Sequence, residues 1–494
     1  MLGPRIVVAG TASGVGKTTV ATGLMAALAR RGTSVASAKV GPDFIDPGYH
    51  ALATGRPGRN LDAWMCGPDA IGPLAGRASR GAEILVVEGV MGLFDGAALG
   101  PPSDSTATGP PSDSTALGSP SDSTATGPPS GSTAELAGLL QAPVILVVDA
   151  AGMSGSIAAV VHGYRSWDPS GNQVQTLARL QVNVAGVIVN RVGSDSHEAM
   201  LRTALAPLGV PVLGILRRDD CLRWRDRHLG LVPVVEDEVD LRRRLDRVAD
   251  AVEGQCDLDA VMALARTSPP VSVDEPPRPR PGGRARVAVL GGRGFSFTYP
   301  DNLELLAEAG AQLVPVDPEA DACLPEGVDA LYAGGGFPEV YAAALSANRP
   351  LLDDVGRRVG AGMVTWAECG GLLWLARSLD GHRMAGAVAA DGRMTDHLTL
   401  GYRTAVPAVD TPVAPAGTEL RGHEFHYSSV DPPGDALSWQ GREGHGRGGF
   451  ASPTLLASYL HLHLASAPGL AERFVASAAA GRERGTRHLD GAAQ

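Results

Sequence analysis

The chain contains few aromatic residues, few cysteines and no long run of basic residues. Phe, Trp and Tyr make up 4% of its 494 residues, so we expect cores of Val, Leu and Ala, which suit buried parallel sheets. Its five cysteines are widely spaced and form no CxxC pair, which indicates neither a disulfide framework nor a zinc site. Because the formal net charge is −11 and no basic run is present, nucleic acid is not expected as a partner.

Long apolar runs are also missing. None could cross a bilayer, and the first residues, MLGPRIVVAG, lack the charged region of a signal peptide. We therefore expect no membrane association and a cytoplasmic location. With 44% hydrophobic residues the composition is that of a folded protein, and 494 residues are too many for one core. The sequence leaves the oligomeric state open, a homodimer being one of the states that it allows.

Short apolar runs alternate with helix-length segments, a rhythm that predicts βαβ units and a parallel sheet. In the first half of the chain, strands are predicted at 6–10, 34–40, 83–89, 143–149, 184–190 and 211–216. A similar pattern later in the chain predicts strands at 286–291, 312–316, 328–333 and 362–367. The predicted fold class is therefore α/β, with two parallel-sheet domains.

Two segments of unusual composition interrupt this rhythm. Tandem copies of a nine-residue repeat, GPPSDSTAT, occupy 97–131 and are too short and polar for a solenoid, so we expect a surface loop without a catalytic role. The last copy is expected to lead into a helix, because Ser132 and Glu135 have capping-box spacing. A proline-rich stretch at 266–284 predicts an extended linker between two domains, which would span 1–265 and 285–494.

A glycine-rich turn follows the first predicted strand and leads into a helix, in the sequence GTASGVGKTTVATGL. This order is the context of a phosphate-binding loop, whose N–H groups around Gly14 and Gly16 would point at the phosphates of ATP. Lys17 would reach the β- and γ-phosphates, and the Thr18 hydroxyl would ligate Mg²⁺. Thr11 stands where the usual pattern has glycine, and this form resembles the dethiobiotin synthetase-like P-loop proteins, which phosphorylate carboxylates.

Acidic residues end two predicted strands beside this loop. Asp43 and Asp46 follow the second strand in KVGPDFIDPGYH. Glu88 ends the next strand, and Asp95 lies on the loop after it. Because carboxylates beside phosphates repel one another unless cations neutralise them, the set predicts Mg²⁺, with Asp43 and Glu88 among its ligands. The alternative for each acid is that it caps a helix or lies in a solvated turn.

Cys369 lies between a short apolar strand and a helix, in TWAECGGLLWL. This setting is typical of a nucleophile on a tight turn, where the following helix would lower the pKa of the thiol. The Gly370 N–H is a predicted oxyanion donor, and a second is expected from the glycine turn at Gly335 and Gly336. The alternative is an inert, buried cysteine.

A thiol nucleophile needs a base, and SYLHLHL supplies His461, with His463 as the alternative. The sequence resembles the class I glutamine amidotransferases, in which Glu usually stands two residues after this histidine. Here His463 occupies that position, so the resemblance implies a Cys–His pair and leaves open what orients His461. We interpret His423 and His426 as structural, since two histidines make a weak zinc site.

Taken together, these motifs resemble those of the a,c-diamide synthases that act on cobyrinic or hydrogenobyrinic acid. NRVGS, FSFTYPDNLELL and GGGFPEVY extend the resemblance to nearly the whole chain. It implies that ATP phosphorylates the a and c acetate carboxylates of a corrin-type macrocycle, and that ammonia from L-glutamine displaces the phosphate. It also implies an acyl-phosphate and substrate site at Lys39, Asp46 and Asp95. Asn190 is a candidate for an adenine contact.

Three other functions remain open at this point. A cobyric acid synthase has the same two-domain plan but amidates other side chains, and the GPDFIDPGYH loop argues against it. A partition-type P-loop ATPase would leave Cys369 and His461 unexplained. A glutaminase-like binding module joined to a carboxylate kinase would transfer no ammonia.

Overall fold

The computed structural model describes residues 1–96, 130–167, 182–219, 224, 226–227, 230–231, 233–273, 283–441 and 444–492. Nearly all of the predicted repeat loop and the middle of the predicted linker lie outside these residues, so those predictions stay predictions.

The first half of the chain forms a seven-stranded parallel sheet. Its strands are β1 Arg5–Gly10, β2 Val35–Val40, β3 Arg59–Leu61, β4 Ile84–Glu88, β5 Val144–Asp149, β6 Val184–Val192 and β7 Val212–Arg217. They lie in the order β3-β2-β4-β1-β5-β6-β7. The six strands predicted from sequence are confirmed to within one or two residues at each end. Only β3 was missed, because three residues are too few for a hydrophobic pattern.

Helices cover both faces of this sheet. They are α1 Lys17–Arg30, α2 Asp46–Thr54, α3 Ala63–Cys66, α4 Pro68–Ala78, α5 Thr133–Leu139, α6 Ser156–Ser166, α7 Asp195–Leu205, α8 Glu238–Gln255 and α9 Leu258–Arg266. A two-residue hairpin, β8 Asp226–Arg227 and β9 Gly230–Leu231, precedes α8. The predicted start of α5 is confirmed, since the Ser132 hydroxyl accepts the Glu135 N–H at 3.1 Å as the N-cap, and the Glu135 carboxylate accepts the N–H of Gly131, one residue before the cap, at 2.6 Å.

The second half of the chain contains a six-stranded sheet. Its strands are β10 Ala285–Leu290, β11 Ala311–Val316, β12 Ala330–Ala333, β13 Val364–Glu368, β20 Phe450–Ser452 and β21 Leu455–Ser458. They lie in the order β11-β10-β12-β13-β21-β20, with only the edge strand β20 antiparallel. The accompanying helices are α10 Pro300–Glu308, α11 Ala342–Ala347, α12 Arg349–Gly360, α13 Gly370–Leu375 and α14 Leu470–Ala492. The four strands predicted here are confirmed.

An additional sheet, mostly antiparallel, was not anticipated. It comprises β14 Ser378–Leu379, β15 His382–Arg383, β16 Asp391–Pro407, β17 Leu420–Asp431, β18 Leu437–Gly441, β19 Gly444–Gly448 and β22 His461–Leu462. Strand β17 pairs with both β16 and β22, which places His423 opposite His461. This pairing carries side chains of the long hairpin to the neighbourhood of Cys369.

The two halves of the chain contact each other through polar and aromatic side chains. Arg59 donates to Asp301 at 2.9 Å and to Glu304 at 2.6 Å. Elsewhere, the Tyr402 hydroxyl donates to Asp62 at 2.8 Å. Among the described residues, no helix combines the length and hydropathy needed to cross a bilayer.

Candidate active site

The phosphate-binding loop joins β1 to α1. Gly14 and Gly16 have φ of +76° and +95°, a left-handed conformation that favours glycine. A Cβ on Gly16 would also lie 2.2 Å from the Asn190 amide nitrogen. The Lys17 ammonium donates to the Ala12 carbonyl at 2.9 Å, and burial lowers its pKa to about 8. The lysine is therefore folded back along its own loop.

Residues at the end of β6 hold the phosphate-binding loop through hydrogen bonds. The Asn190 amide donates to the Val15 carbonyl at 2.9 Å, and the Arg191 guanidinium donates to the Gly14 carbonyl at 2.9 Å. Arg191 also forms an ion pair with Asp149 at the end of β5. In this structure the Asn190 side chain holds the phosphate loop in place, and an adenine contact stays a prediction.

A buried ionic cluster lies beside the loop, at the carboxyl ends of β2 and β4. The Lys39 ammonium donates to Asp46 Oδ2 at 2.6 Å and to Glu88 Oε1 at 2.8 Å. The Thr18 hydroxyl lies 2.6 Å from Glu88 Oε1 and 3.3 Å from Asp46 Oδ2. Behind them, His50 Nε2 lies 2.7 Å from Glu88 Oε2. Hence β2, β4, α1 and α2 each contribute a polar group to one point.

Burial and mutual charge set the protonation of this cluster. Burial disfavours the Lys39 charge, but Asp46 and Glu88 raise its pKa above the ordinary value. Burial likewise opposes ionisation of Glu88, yet Lys39 and His50 hold the pKa of Glu88 below its usual range. Burial and then Asp43 raise the pKa of Asp46. The environment thus moves the pKa values of Asp46 and Glu88 apart, and Glu88 is the carboxyl group that is held ionised.

Asp43 and Asp95 have local roles in this structure. Asp43 accepts the N–H groups of Ile45 at 2.7 Å and Asp46 at 3.0 Å, and so shapes the turn into α2. Asp95 accepts the Gly92 N–H at 2.7 Å. The structure therefore brings Asp46, rather than Asp43, to the Thr18 hydroxyl, and the turn explains why spacing alone could not choose between them.

The oxygens of Thr18, Asp46 and Glu88 fit Mg²⁺, a hard cation that is usually bound by one or two carboxylates together with nucleotide phosphates and water. Among the described residues, no three His, Cys, Asp or Glu side chains form a complete metal cage. The set therefore suits a metal that arrives with a nucleotide better than a resident metal ion.

Cys369 lies on the strained turn between β13 and α13. Its φ is +47°, which is rare outside glycine, and its N–H donates to the Ser458 carbonyl at 2.8 Å. A Cβ on Gly371 would lie 2.1 Å from the Ala333 carbonyl, so the helix can approach β12 this closely only with glycine. This is the geometry of a nucleophile presented at the end of a sheet strand.

The glycine turn after β12 lies against the cysteine turn. A Cβ on Gly370 would lie 3.0 Å from the Gly336 nitrogen, whereas the Gly335 N–H donates to the Phe297 carbonyl at 3.0 Å. Gly335 itself packs against His461, since a Cβ there would lie 2.4 Å from the His461 Cε1 atom. Of the three oxyanion candidates, Gly336 and Gly370 are therefore the better placed donors.

His461 and Glu368 face each other behind the cysteine. His461 Nδ1 lies 3.9 Å from Glu368 Oε2, and both side chains are almost fully buried. Glu368 accepts the Leu462 N–H at 2.8 Å and the Tyr332 hydroxyl at 3.0 Å. The carboxyl group nearest to His461 thus precedes the nucleophile in sequence. His463 instead packs against Tyr299 at 5.0 Å between ring centroids.

Burial keeps this second site neutral. Burial raises the pKa of the Cys369 thiol, contrary to the sequence expectation, because its six-residue helix does not offset the loss of solvation. Burial and the neighbouring His423 and His426 lower the pKa of His461 well below its ordinary value. Burial also raises the pKa of Glu368 to about 8. A neutral imidazole can accept a thiol proton during nucleophilic attack, and His461 packs against Gly335 of the glycine turn that borders the cysteine turn.

A cavity of about 230 Å³ adjoins this turn, with Ser458 in its wall. Arg403, which is 1% exposed, donates to Glu424 at 3.2 Å inside it. His426 stacks on Tyr459 with ring centroids 3.7 Å apart. Arg403 and Glu424 could not be predicted from the sequence, because the β16–β17 pairing brings them together. Tyr459 follows β21, which pairs with β13.

A larger cavity of about 520 Å³ lies between the two halves of the chain. Its wall combines the loop from Gly41 to Asp46 with Phe297, Tyr402, His423 and Phe425. One side of this cavity therefore reaches the ionic cluster, and the other side reaches the residues that surround His461.

Comparison with known proteins gives consistent matches over both halves. Residues 6–232 match the CobQ/CobB/MinD/ParA nucleotide binding domain, and residues 286–469 match the CobB/CobQ-like glutamine amidotransferase domain. A hydrogenobyrinate a,c-diamide synthase of Streptomyces coelicolor is 47% identical, over 96% of this chain and 97% of its own length. One from Mycobacterium tuberculosis is 44% identical, over 97% and 99%. A cobyrinate a,c-diamide synthase of Dehalococcoides mccartyi is 38% identical, over 96% and 97%.

Proposed function

Because the chain belongs to the family of hydrogenobyrinate and cobyrinate a,c-diamide synthases, we propose that the geometry described above amidates the a and c acetate groups of a corrin-type polycarboxylate. The chain is an amidating ligase that uses ATP and glutamine, as its two matched domains indicate. The observation that carries the mechanistic proposal is one cavity whose wall includes both Asp46 of the ionic cluster and His423, whose ring lies 5.0 Å from that of His461.

In the first half of the chain, the N–H groups of the loop at Gly14 and Gly16 bind the phosphates of ATP, and Lys17 leaves the Ala12 carbonyl to reach them. Thr18, Asp46 and Glu88 would hold Mg²⁺, which supplies charge neutralisation. The substrate carboxylate attacks the γ-phosphorus, ADP leaves and an acyl phosphate forms.

Lys39 lies at the centre of this cluster and keeps its positive charge. Because it pairs with both Asp46 and Glu88, it holds the two carboxyl groups at a fixed separation while phosphate charge enters the site. His50 fixes the far oxygen of Glu88. We assign Lys39 to the acyl-phosphate site, and we assign Asp43 and Asp95 to shaping the loops that border it.

In the second half of the chain, Cys369 attacks the side-chain carbonyl of glutamine. His461 takes the thiol proton and passes it to the departing ammonia, and water then hydrolyses the thioester to glutamate. Gly336 and Gly370 donate to the oxyanion. Glu368 positions His461 from the side opposite to its working nitrogen.

Glutamine would occupy the small cavity beside the cysteine. Arg403 fits the α-carboxylate, because a guanidinium recognises a carboxylate with paired N–H donors, and Glu424 fits the α-ammonium group. The larger cavity would receive the macrocycle. Its apolar wall, with Phe297, Phe425 and the ring of Tyr402, suits a flat, partly hydrophobic ring system whose carboxylates point to the ionic cluster.

Replacing Cys369 with Ala tests whether glutamine hydrolysis and amide formation take place at separate sites. We expect glutamine-dependent amidation to fall at least about 1,000-fold, as is typical when a nucleophile is removed, while ammonium still supports amide formation. Cobyrinic and hydrogenobyrinic acids would be offered side by side with ATP and Mg²⁺, and mass spectrometry would count the amides on each.

The matched control is Cys323→Ala, since Cys323 is an exposed free cysteine far along the chain from Cys369. It should keep both activities. Loss of the ammonium-supported reaction in the Cys369 variant would contradict the separation of the two sites. No amide on either acid with the unaltered enzyme would contradict the proposed substrate, and amides at other side chains would favour a cobyric acid synthase.

A further inference from the structure

Phe44 stands between the two sites. It lies in the loop from β2 to α2, between Asp43 and Asp46, and so belongs to the first half of the chain. Its ring nevertheless packs among rings of the second half, with centroid distances of 4.4 Å to Tyr299, 4.9 Å to His461 and 5.3 Å to Phe297. The loop that carries the acids of one site thus also contacts the base of the other site.

The Phe44 ring contacts both the cavity between the halves and His461. Phe44, Phe297 and His423 line the cavity between the halves, whereas His461 does not line it. His461 contacts Phe44 directly from behind that wall. A hydrogen bond fixes the loop in this position, since His423 Nε2 lies 2.7 Å from the Pro42 carbonyl.

The chemistry of the surroundings favours neutral ammonia over ammonium. Aromatic rings form the wall, and burial lowers the pKa of His423 to about 3, so it adds no positive charge. Moving a cation through such a wall would cost far more than moving a small neutral molecule. Ammonia released beside His461 would therefore cross here without a proton.

We propose that Phe44 is the coupling residue of this enzyme: its ring lies between His461 and the cavity that reaches the acyl-phosphate cluster, and ammonia passes along this ring from one site to the other. The proposal rests on the amidotransferase function proposed above. The balance is one glutamine and one water consumed for each ammonia, and one ammonia for each amide formed as phosphate leaves.

The test is the replacement of Phe44 by Ala, with glutamate and amide measured in the same reaction. The unaltered enzyme should release about one glutamate for each amide. The variant should release several times more glutamate than amide, because ammonia escapes. With unlabelled glutamine and ¹⁵N-ammonium present together, the variant should incorporate much more ¹⁵N than the unaltered enzyme.

Two further variants keep the test independent of general damage. Phe44→Leu restores an apolar side chain and should recover most of the coupling. Phe474→Leu makes the same truncation in the fully buried core near Trp366, and should leave the glutamate-to-amide ratio unchanged.

Several results would overturn the proposal. If Phe44→Ala shows the same glutamate-to-amide ratio and the same ¹⁵N content as the unaltered enzyme, the ring does not control the passage of ammonia. Loss of the ammonium-supported reaction at an unchanged ratio would assign Phe44 to the acyl-phosphate site instead. If the unaltered enzyme forms no amide with either nitrogen source, the proposed function fails, which is a separate outcome.

Discussion

The two reactive sites of this chain differ in how they hold charge. In the first half, Lys39, Asp46 and Glu88 form a buried ionic network at the ends of parallel strands. In the second half, burial keeps Cys369 and His461 neutral until glutamine arrives. A site that binds polyphosphate needs fixed opposite charges, whereas a site that moves one proton works best when neither partner is charged in advance.

The largest effect is expected from removing the positive charge of Lys39, on which the ionic network of the first half depends. Lys39→Met leaves two buried carboxyl groups without their partner, so we expect a loss of about 3–5 kcal/mol in the free energy of unfolding. Amidation should be lost with glutamine and with ammonium alike. Urea denaturation and the two amidation assays measure these effects.

The control for that variant is Arg358→Met. Arg358 pairs with Asp354 in the second half, but Asp354 keeps a second partner in Arg357, so the loss should stay below about 1 kcal/mol. If Lys39→Met proved as stable as the unaltered protein, the ionic cluster would not depend on this lysine.

The next largest effect concerns the cavity beside Cys369. Arg403→Ala should lower kcat/KM for glutamine about 100-fold, mainly through KM, because it removes the proposed carboxylate partner. The ammonium-supported reaction should change little. Arg383→Ala, an exposed arginine that pairs with Asp353, is the control and should change neither value. An unchanged KM for glutamine in Arg403→Ala would move the glutamine site elsewhere.

The parts of both sites that sequence could predict are those fixed by parallel-sheet topology. Strand ends of one sheet meet at one edge, so the order of strands and loops along the chain was enough to group the phosphate loop, Glu88 and the acids of the Asp43–Asp46 loop. The turn around Cys369 was visible for the same reason. In contrast, Glu368 could not be recognised as the neighbour of His461, since the family resemblance directed attention to the position two residues after the histidine, whereas this carboxyl group comes from the end of β13.

The positions of Arg403 and Phe44 relative to the two sites could not be predicted from the sequence for a related reason. Arg403 reaches the cavity beside the Cys369 turn through the register of two long antiparallel strands, which the sequence of those strands does not indicate. Phe44 reaches His461 only because the two halves of the chain dock. The role of Lys39 stays a prediction, and its pairing with Asp46 and Glu88 depends on distances that spacing along the chain cannot supply.

Glu368 offers a pH-dependent test of the neutral site. Burial raises its pKa to about 8, whereas the unfolded chain ionises it near the ordinary value of about 4.5. Since the folded protein then binds the proton more tightly, stability should fall as pH rises through this interval, by up to a few kcal/mol. Glu368→Gln cannot ionise and should lack this loss.

Calorimetry at pH 5 and pH 8 would measure the effect as a difference in Tm. We expect Glu368→Gln to gain in Tm relative to the unaltered protein as pH increases. A Tm difference that stays constant, or that shifts in favour of the unaltered protein as pH rises, would show that the carboxyl group is already ionised in the folded protein at pH 5.

The smallest effect is expected where the two halves meet through ions. Glu308 pairs with Arg77 at 2.8 Å but is one-third exposed, so Glu308→Gln should cost less than about 1 kcal/mol. The glutamate-to-amide ratio should not change, because this contact lies among Arg59, Arg77 and Glu304, away from Phe44. A ratio that rose in Glu308→Gln would mean that docking of the halves as a whole, and not the aromatic contact, couples the charged site to the neutral one.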